Sequence, residues 1–432
     1  MLGLLRFSQP RPSVLVVSFW LAALFLFFYL LSSLSSEHSS LPFSGQCGSR
    51  HPQSDINMKN LAMSNDQCEV AFPGLFVEID RMVAGRKGRK IRLDELEKPE
   101  FESSYGYIRA MIRDNQLYVI TANDGINSRR LATLHSLHQA IITSPHPFPN
   151  SEFVLATGDK LEGGYLAWAF ARDVGETTNS TWLMPDFGHW SWPEPKVGSF
   201  IETLLKADAV DAEYISPRDG KYSLDGKENK LVWRGADLGL DIRKGLFDAT
   251  KDKPWSDIKT VDWGNPESVK NDLLTMSDHC RYKFLAHVEG YSYSGRLKYL
   301  QACHSVIIAH KLNWVQHYHS LMVLQGPLQN FVEVKRDWSD LEEKIQFLMT
   351  NPAKAEEIAA RSREVWRRYL SPAATNCYWR RLFVAWGELL DFEPQFYSDS
   401  ITLGGKGKSG REWRGVPFES FSLLQKIHWD PM

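Results

Sequence analysis

The chain has 432 residues, 43% hydrophobic and 24% charged, with a net charge of −2 at pH 7, 15 tryptophans and five cysteines. That length exceeds one ordinary core and predicts about two globular domains. A near-neutral balance with no Lys/Arg-rich stripe excludes a nucleic-acid binder.

Residues 14–31 (VLVVSFWLAALFLFFYLL) carry no charge. The run is longer than a signal-peptide core of roughly 7–15 residues and just long enough to span a bilayer. Arg6 and Arg11 precede it and Glu37 follows, so the positive-inside rule places residues 1–13 in the cytosol and the remainder in the lumen. No A-x-A site follows, which favours a retained anchor over a cleaved signal peptide. The expected location is a single-pass type II protein of the Golgi or endoplasmic reticulum. The serine-rich residues 32–44 begin a flexible stem that runs to residue 66. In a lumenal compartment cysteines can pair. Cys280 and Cys303 flank one loop, Cys68 and Cys377 lie far apart, and Cys47 in the stem is left over; in the cytosol all five stay reduced. Asn179-Ser180-Thr181 is a glycosylation sequon, usable only in the lumen.

Residues 104–119 carry apolar residues at helical spacing and then a β-rich run, which predicts helix followed by strand. Residues 131–143 (LATLHSLHQAIIT) predict an amphipathic helix stopped by Pro145, Pro147 and Pro149. Residues 152–157 (EFVLAT) predict a buried strand ending in Gly158-Asp159, and the alternation predicts a parallel sheet. Residues 182–195 (WLMPDFGHWSWPEP) have no regular period; their aromatic faces suit the apolar faces of sugar rings. A short helix is expected at 199–206.

A second alternating unit follows. Strands are expected at 230–233, 259–262, 282–289, 305–310 and 331–334, with helices at 242–250, 296–303 and 314–321. Long amphipathic helices are expected at 341–349 and 353–369, the second entered through Asn351-Pro352, and a further helix at 378–390. Glycine-rich residues 404–410 read as a flexible tail.

The chemistry concentrates in residues 277–300 (SDHCRYKFLAHVEGYSYSGRLKYL). Gly290, Tyr291, Ser292, Tyr293, Ser294 and Gly295 lead directly into Arg296 and a helical run. Backbone N–H groups at a helix N-terminus beside a fixed guanidinium favour a phosphate. Residues 232–243 (VWRGADLGLDIR) place a second arginine, Arg234, on a turn after a strand. Either turn alone is an ordinary loop; two in one half of the chain suit a diphosphate. Asp159, at the carboxyl end of a strand, is placed to take a proton from an acceptor hydroxyl or to cap a turn. His310, His317 and His319 offer a second reading, a zinc-dependent lumenal hydrolase, although no cysteine or carboxylate at ligand spacing completes the set.

Taken in order, Trp233-Arg234-Gly235, residues 277–285 (SDHCRYKFL), residues 291–300 (YSYSGRLKYL) and residues 376–379 (NCYW) resemble the CAP10-like glycosyltransferases. That group includes fungal capsule-associated xylosyltransferases and Rumi-type protein O-glucosyltransferases. The resemblance runs from about Cys68 to Asp391. It implies an α/β chain of GT-B fold, two Rossmann-like domains facing a cleft, after the N-terminal transmembrane helix. Residues 67–215 would form the acceptor-side domain and 216–370 the UDP-sugar domain, with 371–432 a helix crossing back and a tail.

The resemblance further implies an inverting transfer of xylose or glucose from a UDP-sugar to a hydroxyl of a glycan or protein, with no metal cofactor. Asp159 matches the family's general base, with Gly158 where the family has Arg. Arg234 and Gly235 correspond to its diphosphate turn, with Ala236 for the common Ser. Tyr291, Ser292, Tyr293, Ser294 and Gly295 correspond to the loop around the nucleotide, with Arg296 on the phosphates. Trp190 and Trp192 fall in its Trp-Pro segment near sugar and acceptor. Its paired cysteines match Cys280 with Cys303, and Cys377 with Cys68. The departures at Gly158 and Ala236 leave a third reading, a family member that has lost activity and serves as a lectin or scaffold. The expected partners are a UDP-sugar, a glycan or glycoprotein acceptor and, through the anchor, a membrane.

Overall fold

The computed structural model describes residues 57–97, 105–161, 165–176, 180–399 and 411–426. The expected anchor at 14–31, the leftover Cys47, the sequon residue Asn179 and the tail at 404–410 lie outside them. Among the described residues no helix is long and apolar enough to cross a membrane.

The strand Ser151–Ala156 is buried at every residue and sits inside a six-stranded sheet. On one side it pairs antiparallel with Tyr107–Arg113, which pairs antiparallel with Gln116–Ala122, which in turn takes the short strand Val416–Pro417. On the other side Ala167–Ala169 and Thr181–Leu183 extend it in parallel. The first sheet is therefore mixed, not parallel as the alternation suggested. The expected helix within 104–119 is a hairpin. Asp114 and Asn115, at φ 51° and 59°, make the two-residue turn that brings Arg113 opposite Gln116. Ile108, Ala110, Met111 and Ile112 are all fully buried; a strand covered on both faces loses its alternation and imitates a helical pattern.

The second sheet has five parallel strands in the spatial order Ser256–Thr260, Glu228–Gly235, Tyr282–His287, Val306–His310, Val332–Val334. The chain leaves Glu228–Gly235 toward one edge and returns to build toward the other. A crevice thus opens outside the carboxyl ends of Glu228–Gly235 and Tyr282–His287, the place where open α/β sheets bind ligands. Three further expectations change here. The helix expected at 314–321 is confined to a 3-10 turn at His319–Leu321: Asn313 and Trp314 donate their amides to the Glu289 carboxylate, and Trp314–Val315 pairs with Arg172–Asp173 of the first half. The expected helix at 296–303 shrinks to the single turn Leu297–Leu300, because Cys303 is tied to Cys280 before the next strand starts. The helix expected at 199–206 runs on to Ala212, with Ser199 as its cap.

The helix Pro372–Gly387 returns to the first sheet. Its Trp379 donates to the Ser136 hydroxyl at 2.9 Å and its Trp386 to the Glu152 carbonyl at 2.9 Å. Arg380 donates to the carbonyls of Leu61, Met63 and Ala140. Cys377 is bonded to Cys68, with Cα atoms 5.5 Å apart, and Cys280 to Cys303, at 4.9 Å.

Candidate active site

Between the switch point of the second sheet and the end of Ser151–Ala156 lies a cavity of about 420 Å³. From the second half it is lined by Arg234, Gly235, Tyr291, Tyr293, Ser294, Gly295 and Arg296, and from the first by Asp159 and Trp192. Two residues singled out from the sequence stand back from it. Ser292 is buried and donates its hydroxyl to the Asp159 backbone carbonyl. Trp190 stacks on His135, with ring centroids 5.7 Å apart, outside the lining.

Three arginines meet at the sheet edge, and their partners separate their roles. Arg234 is buried and committed to Asp257. Its Nη2 lies 2.8 and 2.9 Å from the two carboxylate oxygens, and its Nη1 donates to the carbonyls of Trp233 and Asp257. Burial raises the Asp257 carboxyl, but hydrogen bonds from Arg234 and Tyr282 outweigh it and hold the group below its usual value. Arg234 therefore braces the strand end rather than projecting a free cation.

Arg243 and Arg296 are different. Arg243, 6% exposed, donates Nε to the Glu289 carbonyl at 3.1 Å and Nη1 to the Ala236 carbonyl. Arg296 donates Nη1 to the Arg234 carbonyl. Their guanidinium carbons sit 5.5 and 5.0 Å from the Trp233 ring. Their hydrogen bonds go to carbonyls, and among the described residues neither is ion-paired to a carboxylate. Burial, partly offset by the charge of Asp237, pushes Arg243 down to about 10. Burial and then the charge of Arg243 push Arg296 down to about 9. Both stay charged at neutral pH. Two neighbouring, largely buried cations with no directly ion-paired carboxylate are costly, and an anionic ligand relieves the cost. Gly235 makes room for them, since a Cβ there would lie 2.9 Å from the Trp233 ring and 3.2 Å from Arg296 Nη1. Because the helix after Arg296 is one turn, its dipole adds little and the guanidinium groups dominate.

On the opposite wall Asp159 is half-exposed, and its Oδ1 accepts Arg129 Nη1 at 2.7 Å. Arg129 escaped the sequence reading because the expected helix began at residue 131; the observed helix is Asn127–Ile142 and carries Arg129 in its first turn. Arg243 lay inside the stretch quoted for Arg234, but nothing in the sequence distinguished a committed arginine from an unpaired one.

Behind the cavity a buried ion pair joins the two halves. Lys298 Nζ lies 2.8 Å from Asp186 Oδ1 and donates to the Gly295 carbonyl at 2.6 Å, and Asp186 also accepts the Gly188 amide and Gln316 Nε2. Asp186→Ala leaves an ammonium without its counter-ion in the core, and is expected to lower unfolding free energy by about 3–5 kcal/mol. Asp186→Ala with Lys298→Met should lose less. Urea titration followed by tryptophan fluorescence measures both; a single variant as stable as the parent would remove the pair from the account.

The histidines are held by packing and backbone contacts. His310 Nδ1 lies 2.9 Å from the Lys311 carbonyl, and His317 packs on Tyr378 with centroids 4.6 Å apart. Among the described residues no three His, Cys, Asp or Glu side chains are placed to hold a metal ion.

Residues 91–407 match the family described as glycosyl transferase family 90. The chain is 30% identical to protein O-glucosyltransferase 1 of Rattus norvegicus over 239 residues, 53% of this chain and 54% of that protein. It is 31% identical to O-glucosyltransferase rumi of Drosophila pseudoobscura pseudoobscura over 277 residues, 61% of this chain and 64% of that one. It is 23% identical to protein O-glucosyltransferase 2 of Danio rerio over 310 residues, 68% of this chain and 58% of that one. The chain thus spans a little over half the length of the curated relatives it matches. With a family match across most of its length, a parallel sheet whose switch point carries unpaired arginines, and the motifs in their order, the chain belongs to glycosyl transferase family 90, the CAP10-like glycosyltransferases.

Proposed function

We propose that this chain is an inverting glycosyltransferase of GT-B type that transfers a sugar, glucose or xylose, from a UDP-sugar to a hydroxyl of a glycan or protein. The observation that carries the reading is the pair Arg243 and Arg296, two cleft guanidinium groups hydrogen-bonded, among the described residues, only to carbonyls and facing Asp159 across one cavity. A diphosphate is the ligand chemistry that such a pair fits. The named activity of the relatives, O-glucosyl transfer, is consistent with it.

In this reading the acceptor hydroxyl attacks the anomeric carbon from the face opposite the diphosphate. The new C–O bond forms as the bond from carbon to phosphate oxygen breaks, so the configuration inverts. The departing electron pair settles on UDP, where Arg243 and Arg296 meet the growing negative charge. The hydroxyl proton passes to Asp159 as general base. Arg234 keeps the phosphate turn rigid through Asp257, and Trp192 gives the sugar an aromatic face. The guanidinium groups take the charge-neutralising part that a metal plays elsewhere. The two disulfides fit an oxidising lumen, and residues 14–31 would anchor the enzyme there.

The test offers UDP-glucose, UDP-xylose and UDP-galactose separately to the purified protein, with and without EDTA, and measures UDP release. Turnover of one donor, unaffected by EDTA, is expected and names the sugar. UDP binding with no turnover of any donor would replace the catalytic reading by the inactive lectin or scaffold.

A further inference from the structure

Asp159 is fixed at two points by different halves of the molecule. Ser292, from the loop opposite, donates its hydroxyl to the backbone carbonyl. Arg129, from the first turn of Asn127–Ile142, donates Nη1 to the carboxylate Oδ1 at 2.7 Å. The neighbouring position, Gly158, has no side chain to contribute. An ion pair at a half-exposed site is ordinarily worth about 0–1 kcal/mol, because two long side chains must be ordered to make it. Here one partner is already ordered. The Arg129 side chain is only 16% exposed, and its guanidinium carbon lies 4.8 Å from the ring of Phe187, itself buried. Phe187 is in turn flanked by Asp186, the anchor of the buried lysine pair. A planar fork held on an aromatic face loses little further freedom when it grips a carboxylate.

We propose that Arg129 is the positioning residue of the base, holding Oδ1 so that the second oxygen, Oδ2, is aimed at the acceptor hydroxyl. The inference rests on the reading of Asp159 as general base. The proton balance is simple. The acceptor O–H bond breaks and its proton goes to Oδ2, while Arg129 stays bonded to Oδ1 throughout. Arg129 stands on the wall opposite the two phosphate-side arginines, so it acts on the chemical step rather than on nucleotide affinity.

The test compares Arg129→Ala, Arg129→Lys and Asp159→Asn in the full chain, measuring kcat for donor turnover, the Kd for UDP by calorimetry, and thermal melting. Asp159→Asn is expected to lower kcat by about 100- to 10,000-fold. Arg129→Ala is expected to lower kcat by about 10- to 100-fold, with the UDP Kd within about twofold and melting unchanged; Arg129→Lys should recover part of the loss. If the alanine variant does not fold, the lysine variant carries the test, with kcat reduced and Kd preserved. Wild-type turnover by Asp159→Asn would overturn the base reading itself. A dead Asp159→Asn beside an Arg129 variant that keeps full kcat, or that loses UDP affinity in step with kcat, would overturn the positioning role alone.

Discussion

Replacing Arg296 or Arg243 with methionine is expected to weaken UDP binding by about 100- to 1,000-fold while leaving the ligand-free fold no less stable. A charge-assisted hydrogen bond in a partly desolvated site contributes about 1.5–3 kcal/mol, and losing one partner of a buried charge pair costs about 2–5 kcal/mol. The stability half of the expectation follows because, among the described residues, neither guanidinium is ion-paired to a carboxylate. Both arginines are pushed down by burial, and Arg296 also by Arg243; an apolar chain of similar length removes that repulsion. Arg234→Met supplies the contrast. Its loss leaves Asp257, among the described residues, with Tyr282 as its side-chain hydrogen-bond partner, and should lower stability by about 3 kcal/mol before any effect on UDP is read. Calorimetric titration of UDP and melting curves on the three variants decide the matter. Normal UDP affinity in both the Arg296 and Arg243 variants, with a stable Arg234 variant that cannot bind, would return the phosphate contact to Arg234.

That contrast marks where the sequence stopped being legible. The turn at Trp233-Arg234-Gly235 and the loop before Arg296 can be read from residue order, because two arginine-bearing glycine turns in one half of a chain suit a diphosphate where either alone is an ordinary loop. Which guanidinium faces the cleft depends on Asp257, one strand away, and no spacing in the chain records that pairing. The first half shows the same limit. The buried strand at Ser151–Ala156 and Asp159 at its end were evident from a short apolar run. The hairpin beside it was not, because strands covered on both faces lack a period of two. Arg129 lies 30 residues from the carboxylate it grips, and only the packing of a helix end against the sheet brings them together. The cysteine pairs were anticipated through the family resemblance and are joined as expected.

Acid is expected to unfold this protein well above the carboxylate range. His189, His279, His287, His310, His317 and His319 all have ring pKa values below the ordinary 6.5, with burial as the largest cause in each. For His279, His310 and His319 the value falls to about 4. His310 shows why the charged form is excluded. Its Nε2 accepts the Glu289 amide at 3.1 Å while Nδ1 faces the Lys311 carbonyl, so a second proton would break the first bond. Since the folded values lie below the unfolded one, the unfolded chain binds more protons between about pH 4 and 6.5, and stability is lost as pH falls through that window. Each of the three costs about 3 kcal/mol by pH 4, against a total stability of about 5–15 kcal/mol for a typical protein. The melting temperature should therefore be nearly level from pH 8 to 7 and drop steeply below 6.5, with His310→Gln flattening the slope by about one proton. A level profile down to pH 5 would contradict the buried neutral histidines. The cleft adds a signature of its own. His279 lines the cavity, and after burial it is the charges of Arg296 and Arg234 that lower it. A bound diphosphate screens those charges and lets His279 take its proton more readily. Saturating UDP should thus protect the fold more at pH 5.5 than at pH 7.5; equal protection at both would mean that the diphosphate does not sit beside His279.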